Sequence, residues 1–263
     1  MNFKSLSPAL SKGEGVKTTD HTNINLYCLI LLFVFSLNNS MTSQITYGKI
    51  TYERKTNLYK KFKNNGDVKE WLKEEDKNKI DMFELYFNDT VSVFKPIESD
   101  LVERMGWATN KNVVYQNYKT NTRFTEKKIW GEQFYLADSV RQLTWKITDS
   151  KRAICGYQCR KAIWQANDST RIYAWYCTEI VPSIGPESLL GLPGAILGLA
   201  TEDGGVIYFA KSVEMTKPDA IVFNQKKVKQ KIYKTSDLKA QVEKDFGKEK
   251  WGKAMIYNQF AIW

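Results

Sequence analysis

The stretch from Ala195 to Glu214, AILGLATEDGGVIYFAKSVE, reads as a β-hairpin. Residues 195–201 and 206–214 are apolar, β-branched and aromatic, and they flank Glu202-Asp203-Gly204-Gly205. An Asp-Gly step between two such runs is a strong tight-turn signal.

The same grammar extends upstream. Residues 157–166 (YQCRKAIWQA) and 170–178 (TRIYAWYCT) flank Asn167, Asp168 and Ser169, which are turn-forming types. Phe83, Leu85 and Phe87 alternate with Glu84, Tyr86 and Asn88, and Asn88-Asp89 then leads into Val91 and Val93, so one face of this second hairpin is buried. Tyr47 to Thr56 is a first strand, and residues 112–118, 122–129, 132–137 and 142–148 continue the pattern up to a turn at Asp149-Ser150-Lys151. Residues 67–79 are charged and poor in apolar types, which suits a short surface helix or a long loop. Ser236 to Trp251 reads as a helix capped by Ser236, with Leu238, Val242 and Phe246 on one side docking on the sheet. The fold class expected is mainly β: an antiparallel meander forming a curved sheet or open barrel with a C-terminal helix, α+β being the alternative.

Composition agrees with a globular protein. Apolar types make up 43% and aromatics 13% of the 263 residues, and the net charge is +10. Disorder, a collagen-like repeat, a dense disulfide scaffold and a polytopic membrane protein are all excluded on these grounds. The strongest apolar run, Leu26 to Leu37 (LYCLILLFVFSL), falls short of the roughly 18 residues needed to cross a bilayer. Lys4, Lys12 and Lys17 precede it and the small polar residues 38–43 follow it, as in a secretory signal peptide. Cleavage is expected between Ser43 and Gln44. That divides the chain into a leader, 1–43, and a single β-rich domain, 44–263, large enough to bury roughly 70% of its unfolded surface. Cys28 lies at the front of the apolar run, where a lipidated cysteine would not lie. The protein is expected to be exported to the periplasm or cell surface, with no transmembrane span in the mature chain. No helix-turn-helix, zinc-finger or RNA-binding sheet signature accompanies the basic charge, so nucleic acid is not an expected partner.

Export places Cys155, Cys159 and Cys177 in an oxidising compartment. If Ala166 faces Thr170 in the 157–178 hairpin, Cys159 faces Cys177, with Cβ atoms about 4.5–5.5 Å apart, and a disulfide is expected between them. Cys155 is left over, because it could pair with Cys159 only if Gly156 broke the strand.

Catalysis is constrained by subtraction. His21 is the only histidine and falls in the leader, so a Ser-His-Asp triad, a Cys-His dyad and a histidine-bearing zinc site are excluded from the mature domain. Three cysteines cannot form a four-thiolate site. No catalytic residue, metal ligand or cofactor-binding residue is assigned, and no cofactor is expected. What survives is carboxylate chemistry through Glu179, Glu187, Glu202 or Asp203, or a reactive lysine. Asp149, Asp168 and Asp203 read as turn residues. The tryptophans read mostly as core or rim residues.

Between the last two hairpins lie Trp175-Tyr176-Cys177-Thr178-Glu179-Ile180-Val181-Pro182, Gly185-Pro186 and Gly191-Leu192-Pro193-Gly194-Ala195-Ile196. With Trp145, Gly156-Tyr157 and Cys159-Arg160-Lys161-Ala162, these words resemble the GLPGLI family of exported Bacteroidota proteins, firmly over about residues 145–214; Ala195 replaces the second leucine of the hexapeptide. The resemblance implies an exported β-rich protein and supplies no catalytic residues. The signature loop, Gly185, Pro186, Gly191, Leu192, Pro193 and Gly194, has a physical reading of its own. Pro193 and Gly194 suit the centre of a type II turn, with Leu189, Leu190, Leu192, Ile196 and Leu197 buried around it. Gly194→Val is therefore expected to be costly and Glu187→Gln to cost little. The function expected is a non-catalytic binding or accessory protein of the envelope, whose partner is an envelope protein or an apolar ligand. A histidine-free carboxylate hydrolase and a purely structural protein are the alternatives.

Overall fold

A computed structural model describes residues 44–63, 65–98, 104–129 and 131–260. The leader, with the cleavage point at Ser43, His21 and Cys28, lies outside the described residues, as do Trp130 and Trp263; Gln44 opens the described chain and is exposed.

Twelve strands among the described residues form one sheet. In chain order they are β1 (Gly48–Asn57), β2 (Asn78–Phe87), β3 (Val91–Pro96), β4 (Val113–Asn117), β5 (Thr122–Ile129), β6 (Glu132–Ser139), β7 (Lys146–Ile154), β8 (Tyr157–Asn167), β9 (Thr170–Cys177), β10 (Ala195–Thr201), β11 (Val206–Glu214) and β12 (Ile232–Tyr233). Their spatial order is 12-6-5-4-3-2-1-11-10-9-8-7. Two antiparallel meanders, β1 to β6 and β7 to β11, therefore join edge to edge through β1 and β11. β12 runs parallel to β6. The helices are few: α1 (Leu58–Lys61), α2 (Gly66–Trp71), α3 (Thr235–Phe246) and α4 (Lys250–Phe260).

Period-two patterning decides which side of each strand faces in. Ile50, Tyr52, Arg54 and Thr56 of β1 are buried, as are Lys79, Asp81, Phe83, Leu85 and Phe87 of β2. The intervening residues are more exposed. The apolar core gathers Ile50, Tyr52, Phe83, Leu85 and Phe87 with Phe94, Val114, Ile172, Ala174, Tyr176, Leu199 and Tyr208, side chains from both meanders, so the sheet curls around a shared interior. The segment after β9 fills that interior. Its 3₁₀ turn, Pro186–Ser188, packs on β3 and β4, and Tyr52 Oη donates to the Ile196 carbonyl at 2.6 Å.

The hairpins at 78–96, 157–177 and 195–214 form as their turn residues dictate. In the last one Asp203 Oδ1 accepts from the Gly205 amide at 2.9 Å, and Gly204 has φ +66°.

Three expectations need correction. The turn before β8 is not at Asp149-Ser150-Lys151. β7 runs straight through those residues with a register shift between Ile147 and Lys151, and the chain reverses at Cys155-Gly156. Both of these have positive φ, 51° and 84°, as a two-residue type I′ hairpin turn requires. The C-terminal helix differs from the expectation at both ends: α3 begins at Thr235, whose amide and hydroxyl both donate to Asp138 at the end of β6, at 3.1 and 2.6 Å, and it stops at Phe246, so that the stretch expected as one helix to Trp251 is divided between α3 and α4. Leu238 and Val242 dock as expected, with Ile129, Leu136 and Ile256. The tryptophans divide. Trp145, Trp164 and Trp175 pack against the core, whereas Trp71, Trp107 and Trp251 stand exposed.

Candidate functional site

The signature segment supplies the centre of the interior. Leu189, Leu190, Leu192, Ile196 and Leu197 are all buried, as the sequence leads one to expect. Its turn has a different form. The Gly194 amide donates to Leu192 O at 2.8 Å, which closes a three-residue γ-turn on Pro193. The Ala195 amide, which a type II turn would use, is taken by Ile180 O at 3.1 Å because β10 is already pairing there. Gly194 still has φ +135°, and a Cβ on it would overlap the Cys177 carbonyl oxygen. Gly191 has φ +99° and donates its amide to Ser183 Oγ at 2.7 Å, while Trp145 Nε1 donates to Leu190 O at 2.9 Å. Gly185 and Pro186 lead into the 3₁₀ turn.

That turn holds Glu187 and Ser188 at φ 53° and 66°, a left-handed conformation that non-glycine residues adopt at a cost of order 1–3 kcal/mol. The strain aims a carboxylate into the interior. Glu187 Oε1 accepts from Tyr208 Oη at 2.9 Å and Oε2 accepts from Asn112 Nδ2 at 3.1 Å, and Arg54 Nη1 lies 3.6 Å from Oε1. Arg54 also donates to Asp81 Oδ2, at 2.8 Å from Nη2 and 3.3 Å from Nε, and its guanidinium stacks 4.7 Å from the Phe83 ring centroid. Thr109 Oγ1 donates to the same Asp81 oxygen at 2.9 Å, and Lys79 Nζ stands 3.1 Å from Oδ1. Arg54, Asp81, Glu187 and Tyr208 are thus one buried network. Burial alone would raise the Asp81 carboxyl; Arg54 and then Lys79 outweigh it and hold it below its ordinary value. Burial first, and Glu187 second, push the Tyr208 phenol well up.

Glu187 was the one member of this network among the carboxylates singled out from sequence. Glu202 and Asp203 lie in the β10–β11 turn region, with Glu202 accepting from Tyr173 Oη at 2.6 Å, and neither joins the network. Glu187, whose change to Gln is expected to cost little, is buried and accepts two hydrogen bonds, which argues for a larger cost. Arg54 and Asp81 were missed altogether. The signal was present: each sits in phase with inward apolar residues, Ile50 and Tyr52 before Arg54, Phe83 and Leu85 after Asp81.

Two cavities flank the signature segment. One, of about 40 Å³, lies between β4, β5, the 3₁₀ turn and the ends of α3 and α4. The other is a groove of about 350 Å³ at one end of the sheet, lined by Val181, Pro182, Ser183 and Leu190 on one side and Tyr118 and Val140 on the other.

The β8–β9 register runs Arg160↔Tyr176, Lys161↔Trp175 and Ala162↔Ala174, so the next step would set Cys159 opposite Cys177. No disulfide is formed between them: Cys155, Cys159 and Cys177 are free thiols. Pairing stops at Arg160↔Tyr176, one residue short of the cysteines; Cys159 Sγ lies 3.6 Å from Tyr157 O, and Cys155 Sγ donates to Ala210 O at 3.2 Å.

No family model matches the chain, and no curated protein does. Among solved structures the chain is similar to PNGF-II in two space groups. In C2 the identity is 18% over 81% of this chain and 33% of that one, with a TM-score of 0.48. In P21 it is 16% over 76% and 34%, with a TM-score of 0.50. The chain spans about a third of the length of PNGF-II. At this identity the likeness concerns the β fold and carries no activity across.

Proposed function

We propose that this is an exported envelope protein of the GLPGLI kind that acts as a non-catalytic binding or accessory protein, taking an apolar ligand or partner side chain. The observation that carries this reading is the groove of about 350 Å³, a volume in the range of small-molecule sites. One wall is the signature segment itself, through Val181, Pro182 and Leu190. Recognition on loops held by a rigid sheet is a common arrangement. The carboxylate alternative is weakened by the commitments of Glu187 and Asp81. Each is buried and already accepts from two or more partners, which leaves its oxygens engaged within the fold.

N-phenyl-1-naphthylamine, a neutral apolar fluorophore, tests the groove. Saturable binding is expected for the native chain and its loss in Val181→Trp, which fills the groove from a residue already 42% exposed. Equal binding by both proteins, at equal melting temperature, would remove the groove as the site.

A further inference from the structure

The smaller cavity collects basic side chains. On the inward side of β5, Arg123, Thr125 and Lys127 follow one another; Arg123 and Lys127 line the cavity, and Arg141, just beyond β6, joins them. Lys127 is 3% exposed. One acid, Glu187, also lines the cavity, and Lys127 Nζ lies 5.7 Å from the Phe260 ring centroid. Glu187 accepts from Tyr208 and Asn112, and Asp138 accepts from Thr235 and, at 3.2 Å, from Arg123. Arg123 Nη1 also donates to Ser188 Oγ at 3.3 Å, yet its Nε is buried without a hydrogen-bond partner. Asn112, 2% exposed, gives its Nδ2 to Glu187 and leaves Oδ1 without a partner.

We propose that this cavity binds a phosphate group, free or as a monoester, held by Arg123, Lys127 and Arg141. A water needs about 10–15 Å³ of such space, so about 40 Å³ accepts the bulk of one tetrahedral oxyanion. Guanidinium forks match oxyanion geometry, and the buried Arg123 Nε is a donor with nothing to donate to. The repulsion among the cations supports the same reading. Lys127 is lowered to about 8, by burial first and against the opposing pull of Glu187, with Lys61 and Arg123 adding to the fall, and Arg141 is lowered by burial and then by Arg123. An anion between them reverses that penalty. Asn112 Oδ1 refines the ligand: an unpartnered acceptor wants a donor, which a protonated phosphate oxygen supplies and sulfate at neutral pH does not.

This site shares none of its three cations with the groove, so either reading can fail alone. Calorimetric titration of the full chain at matched ionic strength is expected to show saturable binding of inorganic phosphate at least tenfold tighter than that of sulfate. Arg141→Gln, a change at an exposed residue, should weaken phosphate at least tenfold while leaving the phosphate-free melting temperature unchanged. Tighter binding of glycerol phosphate than of phosphate would identify a monoester as the ligand, and the reverse order the free ion. No saturable heat, equal affinity for sulfate, or an Arg141→Gln variant that binds like the native chain would each overturn the proposal.

Discussion

Glu187 shows how a backbone angle and a side-chain charge can be one device. At φ 53° the residue is strained, and what holds it there is the set of bonds its carboxylate makes with Tyr208, Asn112 and Arg54. Glu187→Gln keeps the shape but places an amide N–H₂ against donors, so we expect it to destabilise the fold by about 1–3 kcal/mol, the cost of an unsatisfied buried polar group. Gly194→Val should cost more, because a Cβ there meets the Cys177 backbone and φ +135° is closed to a β-branched residue. Denaturant melts of the two variants check both; a Glu187→Gln protein as stable as the native chain would show that Tyr208 and Asn112 find other partners. The cost at Gly194 was legible in the sequence and that at Glu187 was not. A glycine after a proline announces a backbone requirement locally, whereas the partners of Glu187 lie on β1, on β11 and before β4, each distant along the chain or on another element.

Elements were legible where turn chemistry and period-two alternation agreed. The hairpins around Asn88-Asp89, Asn167–Ser169 and Asp203-Gly204 formed as read because polar turn types sit between patterned runs. The approach to β8 failed on the same rule: Asp149-Ser150 looks like a turn, but it lies within an exposed strand at the sheet edge, and the reversal falls on Cys155-Gly156, where glycine takes the positive φ. That tight turn bears on the thiols. Holding Cys155 in the turn with its sulfur toward Ala210 leaves Cys159 and Cys177 as the pair that an extended ladder would oppose. Mild oxidation should therefore link Cys159 to Cys177, closing a loop worth roughly 3 kcal/mol on the chain-entropy model. A peptide map without reductant that instead found Cys155 joined to Cys159 would mean that the turn opens.

For the whole molecule the buried ionisable groups set a pH profile. Lys61 and Lys127, both lowered to about 8 chiefly by burial, are protonated up to about 10.5 when unfolded. Between those values the unfolded chain binds more protons, so stability rises with pH. The thiols act the other way. Burial raises all three, Cys159 to about 12, so above an unfolded value near 9 the folded chain holds the extra protons and stability falls. Tyr52 and Tyr208, raised by burial, add to that fall above about 10. In acid, Asp81 and Asp138 lie below 3.8 in the fold, where ion pairs and hydrogen bonds outweigh burial, and their contribution is lost only as pH drops under that value. Calorimetric melting at constant ionic strength should therefore rise from pH 7 to a maximum near 9. A decline over that interval would show that the two lysines remain charged in the folded state.

The seam between β1 and β11 pairs Thr56 with Val206 and Lys49 with Glu214. A chain that emerges from its N-terminus, whether from a ribosome or a translocation pore, can lay β2 on β1 and then add β3 to β6 one after another as they arrive. One side of β1 must nevertheless wait, with its amides and carbonyls unpaired, until almost the last strand has been delivered. Such an open edge invites pairing with a neighbouring chain, and contacts this distant in sequence form slowly. Assembly of this sheet is therefore a race between completing the second meander and meeting another copy at the same stage, with the outcome set by how crowded the newly delivered chains are.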